Sequence, residues 1–208
     1  MHTNYDVISM TPQIEFWFEF ASTYSYPAAF AVEERAKARG VRVAWRSFLL
    51  APIFGAQGWT DSPFNIYPVK GAYMWRDLAR ICARQGLSLK KPSAFPRNGL
   101  LAARIACHFA DESWCPEFVR RVYAANFRDD REISLPEVVA AIITSLELNA
   151  ADVMTAAQTQ SAKDALRAQT DRAIKLGIFG APSFTVGDEL FWGNDRLTQA
   201  LEFASAAR

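Results

Sequence analysis

The sequence predicts an α/β domain interrupted by a long all-helical block, and three observations predict it. Residues 14–20, IEFWFEF, alternate with a period of two, and so do residues 41–48, VRVAWRSF, after an intervening stretch of helical composition. Two short apolar runs near the C-terminus, 179–186 and 189–192, flank Gly187-Asp188. Between these ends lie some 120 residues with no persuasive strand signal.

In the first run Ile14, Phe16, Phe18 and Phe20 fall on one face and Glu15, Trp17 and Glu19 on the other, as a strand requires. Residues 26–39 then read as a helix: Ala-rich, with Pro27 in the first turn, Arg35, Lys37 and Arg39 near the end, and Gly40 to stop it. The first 48 residues are therefore β-α-β, with parallel strands and a right-handed crossover. From about Ala51 to Asp171 the spacing predicts loops punctuated by Pro52, Pro63, Pro68, Pro92 and Pro96, and helices near 71–85, 98–111, 114–127, 135–146 and 150–156. A further helix through Ala173 to Lys175 ends at Gly177. Strand, tight hairpin, strand and C-terminal helix follow. With the block removed, the order is that of a thioredoxin-like domain. Residues 1–50 and 172–208 are expected to form that discontinuous domain, and 51–171 the helical insertion.

Composition narrows the partners. Lys and Arg total 23 against 22 Asp and Glu, so no global field attracts nucleic acid or an anionic membrane. No apolar run approaches the roughly 18 residues of a bilayer span, and the start, MHTNYDVISM, lacks a secretory signal's basic and apolar regions, which makes the cytoplasm the expected location. Cys82, Cys107 and Cys115 form no C-x-x-C and suit reduced core thiols, while two histidines leave no metal site or histidine triad to assemble.

The chemistry concentrates at Ser22-Thr23-Tyr24-Ser25, where a thioredoxin-like fold would carry C-x-x-C at a helix N-terminus. With no sulfur, dithiol redox chemistry is unavailable, and with no base nearby Ser22 is not an activated nucleophile. Two readings remain. Ser22 or Ser25 caps the helix, Ser25 being favoured by its spacing to Pro27. Alternatively, Ser22 donates a hydrogen bond to a ligand thiolate lying where the missing cysteine sulfur would be. Lowering a thiol pKa from ~8.5 to ~6.5 needs about 2.7 kcal/mol, and a hydrogen bond to a charged group (~1.5–3 kcal/mol) plus a helix end (~0.3–1 kcal/mol) supplies that. The second constellation is FGAPSF, 179–184: a cis proline at 182 facing the serine turn would leave the Ala181 backbone N–H and C=O to pair with an extended cysteinyl peptide. In the third, GNDRL, Asn194 or Asp195 is expected to cap the last helix, whose N-terminus would also hold a carboxylate.

Taken together, FWFEFASTYSY, KGAYMWRDL (70–78), PRNGLLAAR (96–104) and GIFGAPSFTVGDELFWGNDRL (177–197) resemble 2-hydroxychromene-2-carboxylate isomerases, relatives of kappa-class glutathione transferases with a DsbA-like fold. The resemblance covers nearly the whole chain. It implies a glutathione-dependent enzyme in which Ser22 matches the catalytic serine bonding the glutathione sulfur, Ala181 holds the cysteinyl part, Asn194 and Asp195 hold the γ-glutamyl end, and Lys70 lies near the glycyl carboxylate. Glutathione would act as a cofactor, adding reversibly to the chromene and leaving unchanged, and a homodimer is implied. Two departures stand out: Thr23 replaces the family's proline, and Gly58-Trp59 replaces a Gly-Asn pair.

Aromatics are dense between Trp45 and Trp75. Most are expected to be core, while Tyr24 with the loop members Phe54, Trp59 and Phe64 is expected to line an apolar pocket for an aromatic or conjugated substrate. The leading expectation is thus a glutathione-dependent isomerase. Its rivals are a kappa-like transferase or peroxidase on another electrophile, and a non-catalytic thiol- or peptide-binding protein that has lost its cysteines.

Overall fold

The computed structural model describes residues 11–206. The N-terminal MHTNYDVISM, with its reading as lacking a leader, lies outside them. Strand β1 (Gln13–Phe18) lies between β2 (Arg42–Ser47), which it pairs in parallel, and β3 (Ser183–Val186), which runs antiparallel to it. β4 (Glu189–Trp192) completes the order β2-β1-β3-β4. The parallel pair is joined through helix α1 (Ser25–Lys37), with Gly40 at φ 65° in the turn that follows it, a conformation that costs glycine little. The β3–β4 hairpin turns on Gly187-Asp188, as its sequence predicts.

Alternation along β1 sorts its side chains onto two cores. Ile14, Phe16 and Phe18 are fully buried with Phe20, Trp45, Phe184 and the inner residues of α1. Phe16 stacks on Phe184 at 5.4 Å and meets Trp45 edge-on at 5.0 Å. Trp17 points the other way, into a smaller cluster with Phe48, Ile53, Ala173 and Ile178. Each of these aromatics contributes roughly 1.5–3 kcal/mol of apolar burial. Glu15 shares the Trp17 face. Burial opposes its charge, yet hydrogen bonds from Arg172 (2.9 and 2.6 Å) and Arg46 (2.9 Å) hold its carboxyl below the usual range.

The helical segment contains α2 (Leu50–Ala56), α3 (Pro63–Ile66), α4 (Pro68–Arg84), α5 (Leu100–His108), α6 (Cys115–Phe127), α7 (Pro136–Ser145), α8 (Ala150–Gln158) and α9 (Gln160–Lys175). Among the described residues no helix is long and apolar enough to cross a membrane. A short 3-10 turn, Asn194–Arg196, leads from β4 into α10 (Leu197–Ala206).

Several elements differ from the sequence reading, beginning with α2, which contains Pro52 within a stretch read as loop. The prolines at 63 and 68 open helices: Pro63 follows Ser62, whose hydroxyl accepts the Phe64 N–H at 3.3 Å, and Pro68 begins α4 three residues earlier than 71. Proline at a first helical position loses no hydrogen bond, so the prolines read as loop signals mark helix starts. Helix α9 is far longer than its Ala173–Lys175 end, because its buried stripe is only Ala162, Leu166, Thr170 and Ala173 in an otherwise polar sequence. Finally, 179–182 is a loop and not strand, since Pro182 has no N–H to give a ladder.

Candidate functional site

β1 ends at Phe18, and the chain reaches α1 through a turn held by side chains in place of a strand partner. The Ala21 N–H donates to Glu19 Oε2 (2.9 Å) and the Ser22 N–H to the Glu19 carbonyl (3.0 Å). From α6, Tyr123 donates its phenol to the same carbonyl at 2.8 Å, and Asn126 Nδ2 donates to the Phe20 carbonyl at 3.2 Å. Behind Asn126 lies Arg97, buried, bonding Asn126 Oδ1 (3.2 Å), Asp130 (2.5 Å) and the Arg131 carbonyl (3.0 Å). Gly99 packs so closely on Phe20 that a Cβ there would sit 2.6 Å from the Phe20 Cβ.

The turn presents Ser22, partly exposed, at the start of a 13-residue helix with no acid in its first turn. Its Oγ donates to the Ala181 carbonyl at 2.7 Å and accepts the Ser25 N–H at 3.3 Å. The peptide between Ala181 and Pro182 is cis. The Pro182 carbonyl in turn accepts the Gly193 N–H at 2.9 Å, which ties the 193–195 turn to the same loop. Three segments far apart in sequence, 19–25, 180–182 and 193–195, are thus brought together at Ser22.

Ser25 is not the cap its spacing suggests. It is the first residue of α1, buried, with its hydroxyl lacking an aligned partner, and it is Ser22 that accepts a helix N–H. Thr23 is buried too, its Oγ1 equally without a partner. Neither Asn194 nor Asp195 makes a side-chain cap: Gly193, at φ 114°, stands at the head of the 3-10 turn. Asn194 is partly buried, whereas Asp195 is exposed and 3.5 Å from Arg196.

The remaining sequence-derived residues form two groups, Tyr24 with Phe64 and Lys70, and Phe54 with Trp59. Tyr24 donates its phenol to Asp77 at 3.0 Å and lies 6.3 Å from the Phe64 ring, and Lys70 Nζ sits over the Phe64 ring at 5.8 Å. Burial and the Asp77 carboxylate raise the Tyr24 phenol well above its ordinary value, with Asp195 adding to the effect, so the phenol stays a neutral donor. Phe54 and Trp59 meet at 5.5 Å, and Phe54 packs on the Trp17–Phe48 cluster that also carries Ala181. Of the other aromatics in that region, Trp45 and Phe48 are core and Tyr67 and Tyr73 are exposed.

Sequence reasoning misses Glu19, Asp77, Tyr123 and Asn126. Glu19 and Asp77 lie inside the FWFEFASTYSY and KGAYMWRDL stretches, but the role of all four depends on which groups other elements bring beside them, and residue type alone does not show that. The cysteines lie outside the chemistry: burial pushes the Cys82 and Cys107 thiols up to about 11 and Cys115 to about 12.

A model of the DSBA-like thioredoxin domain family matches residues 13–203. Among curated proteins, a 2-hydroxychromene-2-carboxylate isomerase of Sphingobium xenophagum is 26% identical over 193 residues, covering 90% of this chain and 95% of the relative. A glutathione S-transferase kappa 2 of Caenorhabditis elegans is 23% identical over 204 residues, covering 91% and 90%. A solved structure of a 2-hydroxychromene-2-carboxylate isomerase superposes with a TM-score of 0.80 at 26% identity, covering 94% of this chain and 95% of that one.

Proposed function

The chain belongs to the DSBA-like thioredoxin domain family, and from that premise we propose that it is a glutathione-dependent isomerase of the 2-hydroxychromene-2-carboxylate type, with Ser22 holding the glutathione sulfur as a thiolate. The carrying observation is the Ser22 Oγ to Ala181 carbonyl bond of 2.7 Å, which closes the gap a cysteinyl ligand would enter.

The residues present fit such a ligand. When glutathione binds, it supplies a thiolate that adds reversibly to a conjugated substrate and is returned unchanged. Ser22 turns its hydroxyl from the Ala181 carbonyl to the sulfur, which exchanges a neutral bond of about 1 kcal/mol for a charge-assisted one of about 1.5–3 kcal/mol. That exchange leaves a net preference of roughly 1 kcal/mol, about one pKa unit, less than a free hydroxyl would give. The α1 N-terminus adds to it. The same rotation releases the Ala181 carbonyl to accept an amide N–H from the cysteinyl residue in the manner of an added strand. Lys70, on its Phe64 platform, supplies a cation for a carboxylate, and Asn194 and Asp195 supply polar groups for an α-amino acid end. Phe54, Trp59, Phe64 and Tyr24 shape the apolar walls for the second substrate, and the reaction is placed in the cytoplasm.

A kappa-like transferase reaction is the second reading, favoured by Trp59 packing against Phe54, in a tilted pair at 5.5 Å, where the isomerases carry an asparagine. Titrating glutathione into the protein while following thiolate absorbance tests the shared core of both. Absence of binding sinks them together, and conversion of a hydroxychromene carboxylate without net loss of glutathione separates isomerase from transferase.

A further inference from the structure

Three residues before Ser22 stands a carboxyl group that the mechanism above does not use. Glu19 holds the turn twice, through Oε2 to the Ala21 N–H and through its carbonyl to the Ser22 N–H, and its carbonyl also receives the Tyr123 phenol. Among the described residues no Lys, Arg or His pairs with it. The ionisable side chain facing it is Tyr123 on α6, whose phenol burial holds well above its ordinary value. Asp77 and Lys70 on α4 and Asp195 at the 193–195 turn lie on the Tyr24 side of Ser22. A half-buried carboxylate without a cation is disfavoured, yet accepting the Ala21 N–H needs only a lone pair, which the protonated acid also has.

We propose that Glu19 is a positioning residue with a second role: it fixes the Ala21–Ser22 turn in either protonation state, and its ionisation weakens the preference of that turn for an anion at Ser22. Burial pushes the Glu19 carboxyl up to about 7 against the bonds from Ala21 and Ser22, so the change of state falls in the physiological range. A thiolate at Ser22 Oγ and a carboxylate bonded to the preceding peptide are like charges on one short turn, and each disfavours the other. The two titrate as a coupled pair, and the site holds a thiolate better below neutral pH than above it. The identity of the anion rests on the glutathione reading; the coupling itself does not.

The test places a thiol at the site without any ligand. Thiolate absorbance is titrated in Ser22→Cys and in Ser22→Cys/Glu19→Gln, since glutamine keeps an acceptor for the Ala21 N–H and cannot ionise. The expected result is a thiol pKa lower by about one unit in the double variant, roughly tenfold more thiolate near neutral pH, and a curve narrowed to one site. Superimposable curves overturn the charge coupling. Replacing Glu19 by alanine in the same background should speed amide exchange at Ala21 and Ser22 where glutamine does not, and equal exchange in the two overturns the positioning role. Carboxyl-carbon NMR of Glu19 in the unmutated protein provides a check free of any folding defect: a midpoint below 5 refutes the proposal. Glutathione that fails to bind refutes the cofactor reading alone, because the cysteine titrations still decide the coupling.

Discussion

The half-buried acid at the Ala21–Ser22 turn makes a prediction about stability that needs no ligand. In the unfolded chain Glu19 ionises near 4.5, whereas in the folded chain burial pushes it up to about 7. Between those values the folded state binds a proton that the unfolded state has lost, so stability falls as pH rises. The contribution is complete below about 4.5 and gone once pH has passed 7. At about 1.4 kcal/mol per pH unit the interval corresponds to roughly 3 kcal/mol. Glu19→Gln removes the proton but keeps the acceptor for the Ala21 N–H. Urea unfolding at pH 5, 6, 7 and 8 should therefore show the unmutated protein losing stability relative to the glutamine variant by about 2.5 kcal/mol across the range, with equal m-values. Glu15, whose carboxyl is held low by Arg172 and Arg46, contributes the opposite slope at lower pH and is common to both proteins. A difference between the two proteins that stays constant with pH would refute the argument.

Other outcomes follow from the same geometry. Ser22→Ala should raise the pKa of bound glutathione by about one unit, read from thiolate absorbance, because the hydroxyl's gain over its bond to Ala181 is small. Arg97→Ala leaves Asn126 and Asp130 without their buried partner and should lower the Tm by about 10 °C, while loosening the Phe20–Ser22 turn as seen by amide exchange. Gly99→Ala drives a methyl against Phe20, which is fully buried, and should cost about 1–3 kcal/mol in urea unfolding. Trp59→Ala should raise the KM for an aromatic second substrate several-fold and leave glutathione affinity unchanged, since Trp59 packs on Phe54 and not on the Ser22 turn.

Much of the fold was legible because it is written in local periods. The alternation of Ile14, Phe16 and Phe18 predicts a strand whatever it pairs with, and the Gly187-Asp188 hairpin follows from turn chemistry. Illegible elements were those whose signal is tertiary. Helix α9 has a narrow apolar stripe that becomes meaningful only beside α5 and the sheet, and the short helices α2 and α3 are too brief to show a period.

The site divides in the same way. Sequence alone determined that Ser22 stands just before the first helix where sulfur would be expected, that Ala181-Pro182 leads into the hairpin, and that Asn194-Asp195 leads into the last helix, because these are residue types at positions along a chain. Only the tertiary structure decided that Ser22 and not Ser25 accepts the helix N–H, that the Ser22 hydroxyl is already spent on the Ala181 carbonyl, and that the Glu19 carboxyl bonds the Ala21 N–H. Those facts depend on which partners a distant strand and α6 bring within hydrogen-bond reach, and a hydrogen bond between residues 159 positions apart leaves no period in the sequence.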